Sequence, residues 1–391
     1  MLQAITHQGD QIIIAAKSHA AIQKLKASNQ KYYCPVCHSE VRIRAGTEVI
    51  PHFAHHANAK CFSIEGGEGE YHEQGKLMIY QWLEKQQLDV KLEPYLSLIK
   101  QRPDMLVEIG NKQIAIEFQC ATIPKEVINN RSKGYQSSGI QPIWIIGANQ
   151  LKRITATTLR ISPFLLSMMH QFPSSTSNKL FFFCPDTKQF VIAQHVFIIN
   201  KRSAIAKFRV RQLMKTTIVD LFREKLLADQ ELLSLWMREK EKFRTKPIHV
   251  SRLGHLWQQW LYRNQTSIIY LPSIIHLPVE SQYFMKTPLW IWQSKLVMEY
   301  LVKISVGSYL ERSRINDLFQ SEDHYSKKDF PLIYQVKDPI NQYLQLLCKL
   351  GIIKQYNLSL YKKQKNIIFH ANLEQAINAD RILLKQLMNA K

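Results

Sequence analysis

The sequence predicts a multidomain α/β protein in three parts: a small N-terminal module at residues 1–65, an α/β core at 66–155, and a basic, mostly helical region at 156–391. Three observations support this division. Cysteine and histidine cluster before residue 62, alternating strand patterns follow, and long helical segments dominate after residue 160. A chain of 391 residues is too long for one ordinary hydrophobic core, so several domains are expected.

The core has the order helix, three strands, helix, strand. Leu77, Tyr80 and Leu83 recur at three-residue steps and predict the buried stripe of a helix over residues 68–87. The following elements are predicted as strands over 90–99, 104–109 and 113–120, a helix over 125–138 and a strand over 142–147. The Gly110-Asn111 pair predicts a tight hairpin between the second and third strands.

The predicted hairpin brings two carboxylates together. With a two-residue loop, antiparallel pairing places Asp104 directly across from Glu117, with Cβ atoms ~5 Å apart on one face. Two ionised carboxylates repel each other there, and a divalent cation between them removes that cost. Mg²⁺ is bound by one or two carboxylates together with waters and phosphate oxygens. An exposed hairpin with ordinary surface carboxylates is the alternative, while Gln119 shares the face of Glu117 in either case.

The two flanking helices carry further candidate residues. Glu68, His72 and Lys76 are spaced four residues apart and share one helix face, which either points at the carboxylates or forms a solvated stripe. Arg131 and Tyr135 have the same spacing, and they either reach a DNA backbone or support the site.

The cysteine–histidine cluster of the N-terminal module has the composition of a metal site. Cys34-x-x-Cys37, His55 and Cys61 supply the four ligands of a tetrahedral structural zinc, with His52 as the alternative histidine. A redox pair is the competing interpretation of C-x-x-C, but the strand–motif–helix context of thioredoxin-like proteins is absent. Modules below ~70 residues usually need a structural metal or a similar cross-link to be stable, so we expect zinc.

The charge balance narrows the class of partner. The chain has 52 Lys and Arg against 31 Asp and Glu, and the formal charge of +21 favours nucleic acid. Basic helices are predicted over residues 201–222 and 231–246, the second of which is equally well explained as a solvated face. The cations of the first are expected to bind phosphates: Lys201, Arg202, Lys207, Arg209 and Arg211. Trp257 and Trp260 are interpreted as core residues rather than base-stacking ones.

Targeting signals are not evident in the sequence. No segment approaches the ~20 apolar residues of a spanning helix. The N-terminus lacks the basic start, apolar run and cleavage site of a signal peptide. We therefore expect a cytoplasmic protein with reduced cysteines and no membrane span.

The residues around the carboxylate pair resemble the PD-(D/E)xK nuclease superfamily. Pro103-Asp104, a hairpin of apolar strands and Glu117-x-Gln119 follow its layout. The resemblance implies a restriction-endonuclease-like core in which the aspartate and glutamate hold the metal. The third residue of that motif is usually lysine. Gln119 departs from it, because glutamine can hydrogen-bond a water but supplies no positive charge to the phosphate.

Residues 33–147 resemble the CoiA-like family of competence proteins more closely. The matching pieces are Cys34-Pro35-x-Cys37, Pro51-His52-Phe53-Ala54-His55, Cys61, Glu68-x-x-x-His72-x-x-x-Lys76, Asp104, Glu117-Phe118-Gln119-Cys120, Arg131-x-x-x-Tyr135 and Trp144-Ile145-Ile146-Gly147. This family itself carries glutamine after Glu-x, so Gln119 departs only from the wider superfamily. The resemblance implies a role in natural transformation, on incoming DNA or recombination intermediates.

The reaction implied by this resemblance is metal-dependent hydrolysis of single-stranded, duplex or branched DNA. Asp104 and Glu117 would hold Mg²⁺ or Mn²⁺, and Gln119 would position the attacking water. Lys76 or Arg131 would supply the missing cation, with Glu68 and His72 acting behind the metal ligands. A DNA-binding adaptor that recruits a recombinase without cutting is the alternative. A repair or mobile-element nuclease is a further one.

Overall fold

The computed structural model describes residues 1–14, 17–46, 50–56, 61, 69–173, 175–246, 252–319 and 324–389. Its N-terminal module is an antiparallel sheet with one helix. The elements are β1 (Gln3–Thr6), β2 (Gln11–Ile13), α1 (His19–Ala27), β3 (Tyr32–Tyr33), β4 (Glu40–Arg44) and β5 (His52–His55). The strand order is β2-β1-β3-β4-β5, and the sheet buries a small core of its own that includes Ile22, Val41 and Phe53.

A mixed sheet of eight strands forms the centre of the described chain. Its strands and neighbouring helices are α2 (Glu70–Glu84), β6 (Asp89–Leu92), β7 (Met105–Ile109), β8 (Lys112–Gln119), α3 (Lys125–Ser137), β9 (Ile140–Gly147), β10 (Thr158–Arg160), α4 (Pro163–Ser167), β11 (Lys179–Cys184), β12 (Gln189–Asn200) and β13 (Ser203–Gln212). The order is β10-β13-β12-β11-β9-β8-β7-β6. β9 runs parallel to both β8 and β11, and the other pairs are antiparallel.

Helices α2 and α3 cover opposite faces of this sheet. Ile79 of α2 packs with Ile116 and Phe118 of β8 in one hydrophobic cluster. Ile128 of α3 packs with Trp144 of β9 in another. Alternate residues of the strands therefore pack into two hydrophobic cores, one on each face of the sheet. The predicted order of helix, three strands, helix and strand is confirmed.

Two predictions of secondary structure are wrong. The strand expected over residues 90–99 ends at Leu92, because Glu93 has a left-handed backbone with φ of +48° that turns the chain. The helix expected over 201–222 is mainly strand β13. Its lysines and arginines alternate with apolar residues at a period of two, and that alternation, rather than the charge density, determines the structure.

The central sheet also continues past the expected core boundary at residue 155. Strands β10 to β13 belong to the same sheet as β6 to β9, since β11 pairs with β9. Residues 158–212 therefore contribute to the layer that carries the predicted site. The sequence pattern did not reveal this, because a strand's partner is set by long-range contact.

The C-terminal region is mainly helical with one small sheet. Its elements are α5 (Val219–Phe222), α6 (Asp229–Thr245), α7 (Arg252–Arg263), α8 (Leu289–Leu296) with a π-helical continuation (Val297–Leu301), β14 (Tyr309–Glu311), α9 (Arg312–Asp317), α10 (Pro339–Lys349), β15 (Ile353–Gln355), β16 (Leu360–Lys363) and α11 (Leu373–Asn389). Trp257 is buried in its core, as expected, and Trp260 packs against it. Among the described residues, none of the helices has the length and apolar character needed to cross a membrane.

Helix α2 lies close to β8 because residue 75 is a glycine. A Cβ built on Gly75 would lie 2.0 Å from Cε1 of Phe118, well inside van der Waals contact. The absence of a side chain at this position therefore sets the distance between the helix and the strand that carries Glu117.

We expect Gly75→Ala to lower the local stability of this layer by about 1–3 kcal/mol, the usual cost of overpacking a core. Hydrogen exchange of peptides from α2 and β8 measures the change. Gly46→Ala is the matched control, since a Cβ there meets nothing within 4 Å. Equal protection in the two variants would contradict close packing at Gly75.

Candidate active site and metal centre

The hairpin of β7 and β8 has the predicted register. Gly110 takes a positive φ of +58° in the two-residue loop, and pairing runs from Ile109 with Lys112 to Met105 with Ile116. Asp104 lies one residue before β7, and its charge raises the pKa of Glu117, so the two carboxylates are close enough to interact. The predicted loop and strand register are confirmed, because loop length and strand alternation fix register locally. The direct pairing of Asp104 with Glu117 remains a prediction.

Helix α2 brings a histidine and a lysine to Asp104. Oδ2 of Asp104 accepts a hydrogen bond from the backbone N–H of Phe118 at 2.8 Å. Oδ1 lies 3.8 Å from Nε2 of His72 and 3.9 Å from Nζ of Lys76. The predicted helix face thus points at the carboxylate pair. Glu68, the third residue predicted on that face, lies outside the described residues.

Helix α3 holds Glu117 from the other side of the sheet. Glu117 is only 5% exposed, so the alternative of a surface hairpin is wrong for this residue. Arg131 donates from Nη2 to Oε1 of Glu117 at 2.5 Å, and the Tyr135 hydroxyl donates to the same oxygen. Burial raises the pKa of Glu117 to about 7. The Arg131 guanidinium opposes this rise, and the Asp104 carboxylate adds to it.

Lys76 belongs to a buried charge cluster that sequence reasoning missed in part. Its side chain is fully buried, and Nζ lies 2.6 Å from Oε1 of Glu93 and 3.4 Å from Glu73. With Asp104, three carboxylates surround one ammonium. Glu73 lies three residues before Lys76, so helical spacing predicts their contact. The contact of Glu93 with Lys76 cannot be predicted in this way, because the two residues are far apart in the sequence.

Glu93 connects this cluster to the N-terminal module. Its Oε2 accepts a hydrogen bond from the backbone N–H of Leu2 at 3.1 Å, and its carbonyl accepts one from the side chain of Gln3. Its own N–H donates to the carbonyl of Asp104 at 2.8 Å. A left-handed conformation at a residue other than glycine costs of order 1–3 kcal/mol, and these contacts hold Glu93 in it.

Gln119 is turned toward the loop that follows β8. Its side-chain amide donates to the carbonyl of Ala121 at 2.9 Å. The position where the superfamily usually has lysine is therefore filled by a neutral group with a local partner. The nearest lysine contact of the carboxylate pair comes instead from Lys76 on α2.

The Cys/His cluster of the N-terminal module has the geometry of a metal site. The ligand atoms of Cys34, Cys37, His55 and Cys61 all lie within 4.8 Å of one another, so the cluster could hold a metal such as zinc. Burial, the Arg102 charge and the N-terminal amine lower the pKa of His55, which keeps its imidazole neutral and able to ligate. His52 lies outside this group, and its Nδ1 is 3.0 Å from the carbonyl oxygen of Ile50.

The cations predicted over residues 201–222 divide into two groups. Lys207 pairs with Glu231 at 2.7 Å, and Arg209 pairs with Asp220 at 2.9 Å. Both pairs tie β13 to helices of the C-terminal region. The remaining members are exposed: Lys201, Arg202 and Arg211.

Three family models match the chain in succession. They are the N-terminal domain of competence protein CoiA at residues 14–63, its nuclease-like domain at 68–226 and its C-terminal domain at 233–377. The chain belongs to the CoiA family. The nuclease-like domain contains Asp104, Glu117 and the whole eight-stranded sheet, so the family boundary near residue 226 agrees with the sheet rather than with residue 155.

A relative matches over most of its length and most of this chain. The competence protein CoiA of Bacillus subtilis (strain 168) is 28% identical over 349 residues, which cover 87% of this chain and 92% of the relative. No solved structure matches the chain. The match of a nuclease-like domain is consistent with nucleic-acid binding and with the restriction-endonuclease-like core that the sequence resembles.

We expect Glu93→Gln to destabilise the contact between α2 and the N-terminal module. The substitution removes the closest counter-charge of a buried ammonium, and breaking one side of a buried ion pair costs about 3–5 kcal/mol. Glu73 and Asp104 remain near Lys76, so the lower end is expected. Urea unfolding and hydrogen exchange of residues 70–84 measure it.

The exposed Glu108 of β7 provides the control, because Glu108→Gln makes the same chemical change outside the cluster. A loss of protection as small as that of Glu108→Gln would contradict the role given to the Glu93–Lys76 pair.

Proposed function

We propose that this member of the CoiA family is a divalent-metal-dependent DNA nuclease acting in natural transformation. The observation that carries the proposal is the proximity of Asp104 and Glu117 at the end of the β7–β8 hairpin, where the Asp104 charge raises the pKa of Glu117 and Lys76 lies 3.9 Å from Asp104. Two nearby carboxylates, one of them buried, repel each other, and a cation between them would remove this cost. The matching nuclease-like family domain supports the same reading.

Asp104 and Glu117 would hold the metal, since their oxygens are the hard donors that Mg²⁺ and Mn²⁺ prefer. Arg131 and Tyr135 bind Glu117 through Oε1, so its other oxygen would face the ion. A bound divalent cation supplies Lewis-acid stabilisation of charge on the phosphate and lowers the pKa of water. The protein contributes rigidity, because both carboxylates are fixed by hydrogen bonds before DNA arrives.

Lys76 is the residue we assign to the part that lysine plays in the superfamily motif. Gln119 is neutral, and its side chain is bonded to the carbonyl of Ala121. The ammonium of Lys76, on α2, lies beside the carboxylate of Asp104. Because the Lys76 side chain is fully buried among carboxylates, it would act by keeping Asp104 ionised and in place rather than by contacting the phosphate. His72 lies at a similar distance from Asp104 and would orient it. Gln119 would position the attacking water, and Glu68 remains a candidate behind the ligands.

DNA is the substrate class that charge and family support. The formal charge of +21 favours a polyanion, and the exposed Lys201, Arg202 and Arg211 would contact phosphates. The relative is named a competence protein, and that name supports our proposal that the activity acts on incoming DNA or on recombination intermediates. A recombinase or another transformation protein would be the partner in that process.

Structural zinc is our proposal for the Cys/His cluster. With zinc bound, the three cysteines as thiolates and the one imidazole would supply four ligands, a closed set that leaves no ligand position for chemistry. The module buries only a small core, and small modules usually depend on such a link.

One alternative function is favoured by a specific observation. Arg131 already neutralises Glu117, and Gln119 lacks a charge, so the chain could keep the nuclease fold as a DNA-binding adaptor that does not cut. Cleavage assays separate the two functions directly.

We expect Asp104→Asn to reduce cleavage at least about a hundredfold, because a metal ligand contributes several kcal/mol to stabilising the transition state. Single-stranded, duplex and branched DNA are incubated with the full chain and Mg²⁺ or Mn²⁺. Asp89→Asn is the control, since Asp89 is exposed on the neighbouring strand β6. Binding without cleavage of any substrate by the unaltered protein would establish the adaptor instead.

We expect Cys34→Ser to abolish the zinc content of the purified chain, because loss of one thiolate opens a four-ligand site. Elemental analysis of the protein measures bound zinc. Cys348→Ser is the matched control, since Cys348 packs in the C-terminal core. Unchanged zinc in Cys34→Ser would reject this ligand set.

A further inference from the structure

The C-terminal region contains a small three-stranded sheet with a distinctive connection. In chain order come α8 with its π-helical continuation, β14, α9, α10, β15 and β16. The sheet is antiparallel with β16 between the other two strands, in the order β14-β16-β15. Helix, strand, helix, helix and a final hairpin, with the last strand central, is the topology of a winged-helix domain. Residues 318–338 separate α9 from α10, where a helix-turn-helix usually has a short turn.

The inner face of this sheet packs on the helices. Leu310, Ile353 and Tyr361 are buried in the same cluster as Trp292 of α8 and Tyr343 of α10. The rings of Trp292 and Tyr343 meet edge to face, with centroids 5.3 Å apart. The sheet and these helices therefore form one packed unit, which fixes the direction of the β15–β16 hairpin.

The outer face of the sheet is aromatic, basic and exposed. Tyr309 is 52% exposed and Tyr356 is 53% exposed, with ring centroids 5.5 Å apart. Nζ of Lys362 lies 5.5 Å from the Tyr309 ring, and Nζ of Lys354 lies 5.8 Å from the Tyr356 ring. At the tip of the hairpin Leu358 is 91% exposed.

Helix α10 presents a polar face beside this hairpin. Asn341, Gln345 and Lys349 are exposed and follow one another at four-residue steps, so they lie along one line of the helix. The side chain of Gln345 donates to that of Gln355 on β15, and the Tyr361 hydroxyl donates to that of Asn341. Gln355 is paired with the buried Tyr361, so these bonds join α10 to the inner face of the hairpin, and Lys354 and Lys362 lie on its outer face. Asn, Gln and Lys are residue types that read base edges in the major groove.

We propose that α10 and the β15–β16 hairpin form a duplex-DNA binding surface, with α10 in the major groove and the hairpin against the adjoining backbone. Lys349, Lys354 and Lys362 would contact phosphates. The exposed Leu358 would lie against the minor groove, where apolar side chains contact base steps. Of the exposed acids on the neighbouring elements, Asp338 pairs with Arg312 and Glu311 lies 3.8 Å from Arg314, and α9 also carries the exposed Asp317.

DNA is chosen over a protein occupant by charge complementarity. The surface combines cations with exposed aromatic rings and carries little uncompensated negative charge. The choice of DNA rests on the proposed function, but binding at this surface requires neither the carboxylate pair nor a metal. Binding is therefore measured with Mg²⁺ and Mn²⁺ left out and no chelator added, so that cleavage cannot contribute and the candidate zinc site keeps its metal.

The test uses the full chain and a short labelled duplex, with affinity measured by fluorescence anisotropy over a range of salt. In a Lys354→Gln/Lys362→Gln variant the Kd should rise about tenfold, and the slope of log K against log salt should fall by about two. A Lys17→Gln/Lys385→Gln variant removes the same charge from exposed sites elsewhere. Equal losses in the two variants would overturn the proposal.

A second variant alters the hairpin without changing charge. Leu358→Ser replaces a side chain that is already exposed, so it should fold normally, which circular dichroism checks. Its affinity for duplex should fall severalfold, with a smaller loss for a single strand of the same sequence. Unchanged duplex affinity would contradict contact by the tip. Loss of duplex binding in these variants, in a protein that cleaves no DNA, would reject the nuclease and uphold this surface.

Discussion

The neutralisation of one buried ammonium governs the arrangement of the site. Lys76 is fully buried, and an isolated charge in such a position is strongly unfavourable, so carboxylates must surround it. Glu93 at 2.6 Å is the nearest, and Glu73 and Asp104 complete the group. The same contacts fix α2, the turn after β6 and the start of β7 relative to one another.

This constraint links the N-terminal module to the nuclease-like domain. The carboxylate that faces Lys76 also accepts from the backbone of Leu2, and Leu2 is buried in the core that includes Ile116 and Phe118. Met1 and Phe53 exchange backbone contacts, and Phe53 lies on β5 with His55 of the cysteine–histidine cluster. A continuous series of contacts thus runs from the candidate zinc site to Asp104.

On the opposite side of the sheet, residues of α3 hold the carboxylate of Glu117. Arg131 and Tyr135 both bond to one oxygen of Glu117, which would otherwise bury a charge without partners. Each carboxylate is therefore fixed by its own helix. Such rigidity suits a nuclease, in which metal ligands are preorganised, and it equally permits a fold kept for binding. The C-terminal surface adds a second place where DNA would be held.

The sequence by itself determined the features that depend on local rules. A two-residue loop and alternating side chains set the register of β7 with β8 up to Met105 and Ile116, and helical spacing placed His72 with Lys76 on one face. Ligand type and spacing identified the cysteine–histidine cluster, including His55 over His52. Tertiary structure alone decided the rest. Glu93 is hydrogen-bonded to Leu2, 91 residues away in the sequence, and β11 joins the sheet beside β9. Lys207 and Arg209 form ion pairs with carboxylates of the same chain. These contacts depend on which residues, distant in the sequence, are buried against each other. The periodicity of a single segment does not predict such contacts.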